Sequence, residues 1–294
     1  MKNLIVNVFK TLFFFDLAIL IFVRLPEVTA SNAALLKLKQ EAIIMGVPLV
    51  LTLVYFFLVE KRKLGVPINR HVFKSIGWGL FSGIVPIGVT VGALFILKKL
   101  KFTGIEKPEH IWFWLAAMLC NTIAAELLLR GYLFKLFKKH YGFMFSAIVT
   151  TMLFLSIDIK LFDEGKIYIA NIILLNFLLC LILEYSGSIV STIIARFFYT
   201  GISCYLFGSM QLTGGYPTLL KYSLSGKKLF TGGEYGLEGS LVTLIVLGLF
   251  AAVLLIYKYR PIKMIKEIIK DISRSIKRLK KRFKKKAKKA AAKS

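Results

Sequence analysis

Histidine and cysteine are scarce, with three of each in 294 residues. Cys120, Cys180 and Cys204 each fall inside an apolar run, and no CxxC occurs. An odd, buried set excludes a disulfide framework and a thiolate zinc site, so these cysteines read as small packing residues. His71, His110 and His140 sit in or beside predicted loops, and HExxH, GxSxG and GxGD are all missing. Zinc, serine-type and GxGD-type intramembrane chemistry therefore have no sequence support. Charge is also thin: 19% of residues are charged and 57% hydrophobic, with a mean hydropathy of +0.71. That balance excludes an ordinary soluble two-domain protein and points to a polytopic membrane protein.

Apolar runs close to the ~20 residues that cross a bilayer recur along the chain. The expectation is an all-α membrane helix bundle of about eight transmembrane helices, at 4–24, 42–59, 75–97, 111–134, 143–158, 168–185, 187–209 and 240–257. The first run carries Lys10 and Asp16 and lacks a small-residue cleavage site, so it is expected to remain as a span. Residues 1–109 read as N-terminal transmembrane helices, 110–257 as a transmembrane core and 258–294 as a basic cytoplasmic tail.

Acidic residues number 15 against 41 Lys and Arg, a net charge of +26. From Lys258 onward, 17 Lys and Arg face only Glu267 and Asp271, so the tail alone holds +15. Basic loops at Lys61-Arg62-Lys63 with Arg70 and Lys74, and at Lys135, Lys138 and Lys139, fall on the tail's side of an eight-span bundle. The positive-inside rule then puts both termini in the cytoplasm of a cell-membrane protein. Lys98, Lys99, Lys101 and Lys107 argue the other way.

Within the tail, Ile262, Ile265, Ile269, Ile272, Ile276, Leu279 and Phe283 alternate spacings of three and four behind Pro261. This is the pattern of an amphipathic helix. A coiled-coil homodimer would set Lys266, Lys280 and Arg282 against like charges, whereas a helix lying on anionic lipid headgroups needs no such pairing. An acidic partner or RNA is a further reading of this tail, with no specific nucleic-acid contact expected. The end, KKKAKKAAAKS, is low complexity.

The fourth run contains NTIAAELLLRGYLF, residues 121–134, which puts Glu126 and Arg130 one helical turn apart in a segment otherwise fit for lipid. Residues four apart share a helix face and can pair. A lone charge near the membrane centre costs roughly 2.5–3.5 kcal/mol, so such residues face a protein interior and find partners. The pair reads either as a structural ion pair or as part of a catalytic or ligand site.

Here the sequence resembles the CPBP family, the CAAX-protease or Abi family of intramembrane proteases, whose motifs are EExxxR, FxxxH and HxxxN or HxxxD. Ala125-Glu126-Leu127-Leu128-Leu129-Arg130, followed by Gly131 to Phe134, matches the first motif in all but its first residue. Phe154-Leu155-Ser156-Ile157-Asp158 stands for FxxxH. Arg196 to Thr200 falls where HxxxN is expected, after a family-like turn, Glu184-Tyr185-Ser186-Gly187-Ser188-Ile189. Phe230-Thr231-Gly232-Gly233 and Gly236-Leu237-Glu238-Gly239-Ser240 also resemble family segments, so the likeness spans about 110–257.

The resemblance implies a first glutamate that activates water and histidines that bind the water and the oxyanion. In this chain those positions are Ala125, Asp158 and Arg196, with Thr200 for the asparagine. Alanine cannot accept a proton, and arginine stays protonated and cannot act as a base. No intact catalytic set is expected. Asp158 and Glu126 could form a carboxylate pair with Arg196 on the oxyanion; the plainer reading is a charge-neutralising network of Glu126, Arg130, Asp158 and Arg196. The leading expectation is a catalytically silent scaffold, chaperone or regulator of a membrane or cell-envelope partner, without cofactor or metal. An active CAAX-type endopeptidase with altered residues is the alternative. A transporter ranks last because no internal repeat is visible. The glycine-rich stretch 210–239 reads as a long loop forming a binding surface or lid.

Overall fold

A computed structural model describes residues 2–61, 65–69, 71–157, 165–208 and 215–259. The helix α1 (Lys2–Val23) is followed by α2 (Ala33–Val54), which continues through a π-helical turn, Tyr55–Val59. Next come α3 (Val72–Ile96), the strand β1 (Leu100–Ile105) and α4 (Ile111–Glu126). A π-helical turn, Leu127–Leu133, joins α4 to α5 (Phe134–Tyr141). After α6 (Phe143–Ile157) and α7 (Lys166–Ser186), α8 (Ile189–Arg196) runs through a third π turn, Phe197–Gly201, into α9 (Ile202–Phe207). Strand β2 (Leu220–Leu224), α10 (Lys228–Thr231), a 3-10 segment (Gly233–Gly239) and α11 (Leu241–Tyr259) complete the described chain.

The expected all-α membrane bundle is present. Seven continuous helical stretches of the described residues are long and apolar enough to cross a bilayer, and the fifth expected span, 143–158, is a shorter apolar helix, Phe143–Ile157. Several boundaries differ from expectation. The second span begins at Ala33 because Asn32 caps it, its Oδ1 accepting the Leu35 N–H at 2.8 Å. The fourth runs unbroken from Ile111 to Tyr141. The stretch 210–239 is not loop throughout: β2 pairs antiparallel with β1, from Leu100 opposite Leu224 to Ile105 opposite Leu220, with a bulge between Phe102 and Gly104. The strands are only six and five residues long and β1 is broken by its bulge, so the alternation of Leu220-Lys221-Tyr222-Ser223-Leu224 is too short a signal to mark the pair.

The chain divides into two compact units, Met1–Ala251 and Ala252–Ser294. The apolar stripe of the tail, Ile262 to Phe283, lies outside the described residues. Inside the first unit α2 packs along α4 and α3 along α8. The second contact needs small residues. A Cβ on Gly79 would sit 2.7 Å from the Ser191 carbonyl oxygen, and one on Gly83 would sit 2.6 Å from that of Ala195. Gly79-x-x-x-Gly83 is thus a small-residue seam that lets two backbones touch, as membrane helices require. It fixes the depth and rotation of the helix that ends in Arg196.

Prolines Pro48 and Pro86 lie inside α2 and α3. Each removes a ladder donor, and Thr90 Oγ1 donates to the Pro86 carbonyl at 2.9 Å, using an acceptor near the break. At one end of the bundle Lys10 and the Tyr132 hydroxyl both donate to Glu60 Oε1, at 2.7 and 3.0 Å. Burial alone would raise the Glu60 carboxyl; these hydrogen bonds outweigh it and hold the group below its ordinary value.

Candidate functional site

The Glu126 carboxylate is fully buried at the α4–π junction. Arg130, also fully buried, donates from Nη1 to Glu126 Oε1 at 2.7 Å. Its Nη2 donates to the backbone and side-chain oxygens of Asn176 on α7, at 2.9 and 3.1 Å. A second cation reaches the same carboxylate oxygen: Arg196 Nη1 lies 3.3 Å from Glu126 Oε1. Arg196 ends α8, and a π turn begins at the next residue, just as one does after Glu126. Each π turn widens the helix locally, a distortion that recurs at functional positions.

Beside this cluster lies a cavity of about 490 Å³. Ala125, Arg196 and Thr200 all line it, together with apolar side chains from α1, α2, α6 and α7 that include Phe22, Ile44 and Phe154. The Arg196 guanidinium packs 4.8 Å above the Phe154 ring centroid, which fixes its plane. Three positions singled out in the sequence therefore meet at one cavity wall, with Glu126 and Arg130 behind it. The fourth, Asp158, lies outside the described residues.

Residues 107–202 match the model of a family described as type II CAAX prenyl endopeptidase Rce1-like. That segment is similar to CAAX endopeptidases of this type. No curated protein matches it. The matched segment contains both helices that run into π turns beside the cavity, so the family resemblance and the geometry select the same place.

The cavity also takes residues that sequence reasoning missed. Glu41, from α2 and outside the matched segment, is 1% exposed and lines the wall. Asn121 Nδ2 donates to its Oε2 at 2.9 Å, and Lys37 Nζ stands 3.4 Å from its Oε1. Lys37 also sits 5.1 Å from the Tyr216 ring centroid. Burial, and then the charge of Glu41, push the Tyr216 phenol well above its ordinary value. The sequence signal for Glu41 was Asn32 before Ala-Ala-Leu-Leu, an N-cap that draws Lys37 and Glu41 into the span as an i, i+4 pair.

Glu238 is the second carboxylate that no motif flagged by charge. It is 1% exposed and accepts from Ser203 Oγ at 2.8 Å and Tyr199 Oη at 3.3 Å. Asn171 Nδ2 donates to the carbonyls of Glu238 and Ser240 at 2.6 and 3.0 Å. These bonds pin the Gly-rich turn before α11 onto α7 and the α8–α9 helix. A fold constraint accounts for them: at Gly232, with φ of 81°, a Cβ would meet the Gly236 carbonyl oxygen at 1.7 Å. Among the described residues no group of three His, Cys, Asp or Glu side chains converges on a metal position.

Proposed function

We propose that this is a catalytically silent CAAX-protease-type membrane protein that holds or regulates a membrane or cell-envelope partner. The observation that carries the reading is Arg196. At the place where the family has a histidine, this chain has a permanent cation already engaged with Glu126 at 3.3 Å. Ala125 brings only a methyl group to the cavity wall where the family has its base. Glu126 holds both arginines with one oxygen and stands behind the cavity wall rather than on it. A water-activating step needs a group able to take a proton at that wall, and the motif positions supply none among the described residues. In this reading the protein lies in the cell membrane with both termini cytoplasmic, its basic tail on anionic headgroups.

One observation favours a second reading. Glu41 is a carboxylate in the same cavity, oriented by Asn121 at 2.9 Å. A base delivered from α2 instead of α4 would make the protein an active intramembrane endopeptidase. The test is purified protein in proteoliposomes with prenylated-peptide and transmembrane-helix substrates. No turnover is expected for wild type, Glu41→Gln or Glu126→Gln. Turnover abolished by Glu41→Gln alone would establish the endopeptidase.

A further inference from the structure

The charges that the described residues bring to the cavity do not balance. Among the described residues, Glu126 faces two arginines, Arg130 and Arg196, while Glu41 and Lys37 cancel each other. The surplus cation is at the cavity wall. Arg196 is 6% exposed, its Nε has no partner, and its guanidinium is immobilised on Phe154. Thr200, four residues on and 1% exposed, lines the same wall with an unpartnered Oγ1. A buried polar atom left unsatisfied costs about 1–3 kcal/mol, more for a charged group, and here two of them belong to residues that line one cavity.

We propose that this cavity binds a single-chain anionic lipid, with its carboxylate or phosphate on Arg196 and Thr200. Arg196 Nε–H and the Thr200 hydroxyl supply two donors on one helix, and the planar guanidinium suits an oxyanion. The acid chain then lies along Phe22, Ile43, Ile44 and Phe154, all of which line the same space. Its volume of about 490 Å³ falls within the ~300–1,000 Å³ of small-molecule sites. An anion neutralises the surplus charge, and Lys37 shields it from Glu41. Helices that stand in lipid make a lipid the ligand closest to hand. The inference deepens the silent-enzyme reading, since a site that retains an anionic lipid binds where its relatives cleave.

The test uses full-length protein in nanodiscs of phosphatidylcholine, titrated with radiolabelled oleate and lysophosphatidate. Saturable one-to-one binding is expected for both, at least tenfold tighter than for monoolein, which has no charge. Arg196→Gln should weaken oleate binding at least tenfold and Thr200→Val severalfold, with Arg196→Lys falling between wild type and Arg196→Gln because it keeps the charge and loses the planar donor. Inorganic phosphate should bind at least a hundredfold more weakly than lysophosphatidate, because it has no chain. Monoolein binding as well as oleate, or Arg196→Gln and Thr200→Val both binding as wild type, would overturn the proposal. So would tight capture of an apolar peptide with a free C-terminal carboxylate by a cavity that ignores oleate. Proteolysis assayed on the same nanodiscs reports on the silent-enzyme reading separately, since cleavage would sink that reading without changing oleate affinity.

Discussion

Arg196 crosses 70 residues of chain to place its Nη1 3.3 Å from Glu126 Oε1, the oxygen that Arg130 already holds at 2.7 Å. One carboxylate therefore organises three helices: α4, α8 and, through Arg130 and Asn176, α7.

The consequence for stability is an ordering. Glu126→Ala strands two buried guanidinium groups and should cost most, about 3–5 kcal/mol. Arg130→Ala leaves Glu126 with Arg196 but deprives the Asn176 oxygens of their donor, costing roughly 1–3 kcal/mol. Arg196→Gln leaves the 2.7 Å pair whole and should cost least. Thermal unfolding of the three variants in one detergent checks this. A loss for Arg130→Ala as large as that for Glu126→Ala would mean that Arg196 does not compensate.

Gly83→Val should separate α3 from α8, because the added Cβ starts 2.6 Å from the Ala195 carbonyl oxygen. Overpacking of this kind costs about 1–3 kcal/mol. Gly88→Ala, on the same helix with nothing within 4 Å of its Cβ, should be neutral or stabilise by up to about 1 kcal/mol. The two variants, compared by melting temperature, separate the seam from general glycine effects.

Acid should loosen one end of the bundle. Glu60 is held below its ordinary carboxyl value by Lys10 and Tyr132 against the effect of burial. A depressed carboxyl contributes stability that is present above its unfolded value, about 4.3, and lost as pH falls through the folded one. Melting temperature should therefore drop below about pH 4.3, and part of that drop should vanish in Glu60→Gln. A wild-type acid profile for Glu60→Gln would remove Glu60 from the account.

For the tail, a peptide of residues 261–286 should be unstructured in buffer and helical on anionic vesicles, with each lysine near the surface adding about 1 kcal/mol. High salt should release it, because a Debye length of about 3 Å at 1 M screens the attraction. Circular dichroism with vesicle titration checks this. Equal binding to neutral vesicles would exclude an electrostatic anchor, and a helical dimer without lipid would favour the coiled coil.

Much of the bundle was legible in the sequence because length and apolarity decide which helices can span. Glu126 and Arg130 were legible for a related reason: in an apolar helix two opposite charges at i, i+4 have few other partners to find. Glu41 was not, because the second span was started at residue 42 and its helix begins at Ala33, behind the Asn32 cap. The Gly79–Gly83 seam was also missed; both glycines matter through the backbone they face, which sequence spacing in α3 alone does not show. Nor were the π turns visible, since a local shift from four- to five-residue bonding leaves the apolar pattern of a short stretch almost unchanged.

Those turns have a consequence for how the site can be altered. The turn at Phe197–Gly201 holds one residue more than an α-helix would need. Five residues of a π turn cover about the rotation that four cover in an α-helix, so deleting one there would restore ordinary winding and leave the helix beyond it, with Ser203 on Glu238, nearly in phase. Only the residues of the turn itself would shift, Thr200 among them, while Arg196 before it would keep its grip on Glu126. The extra residue thus sets how one side chain meets the cavity without moving the helix that carries it.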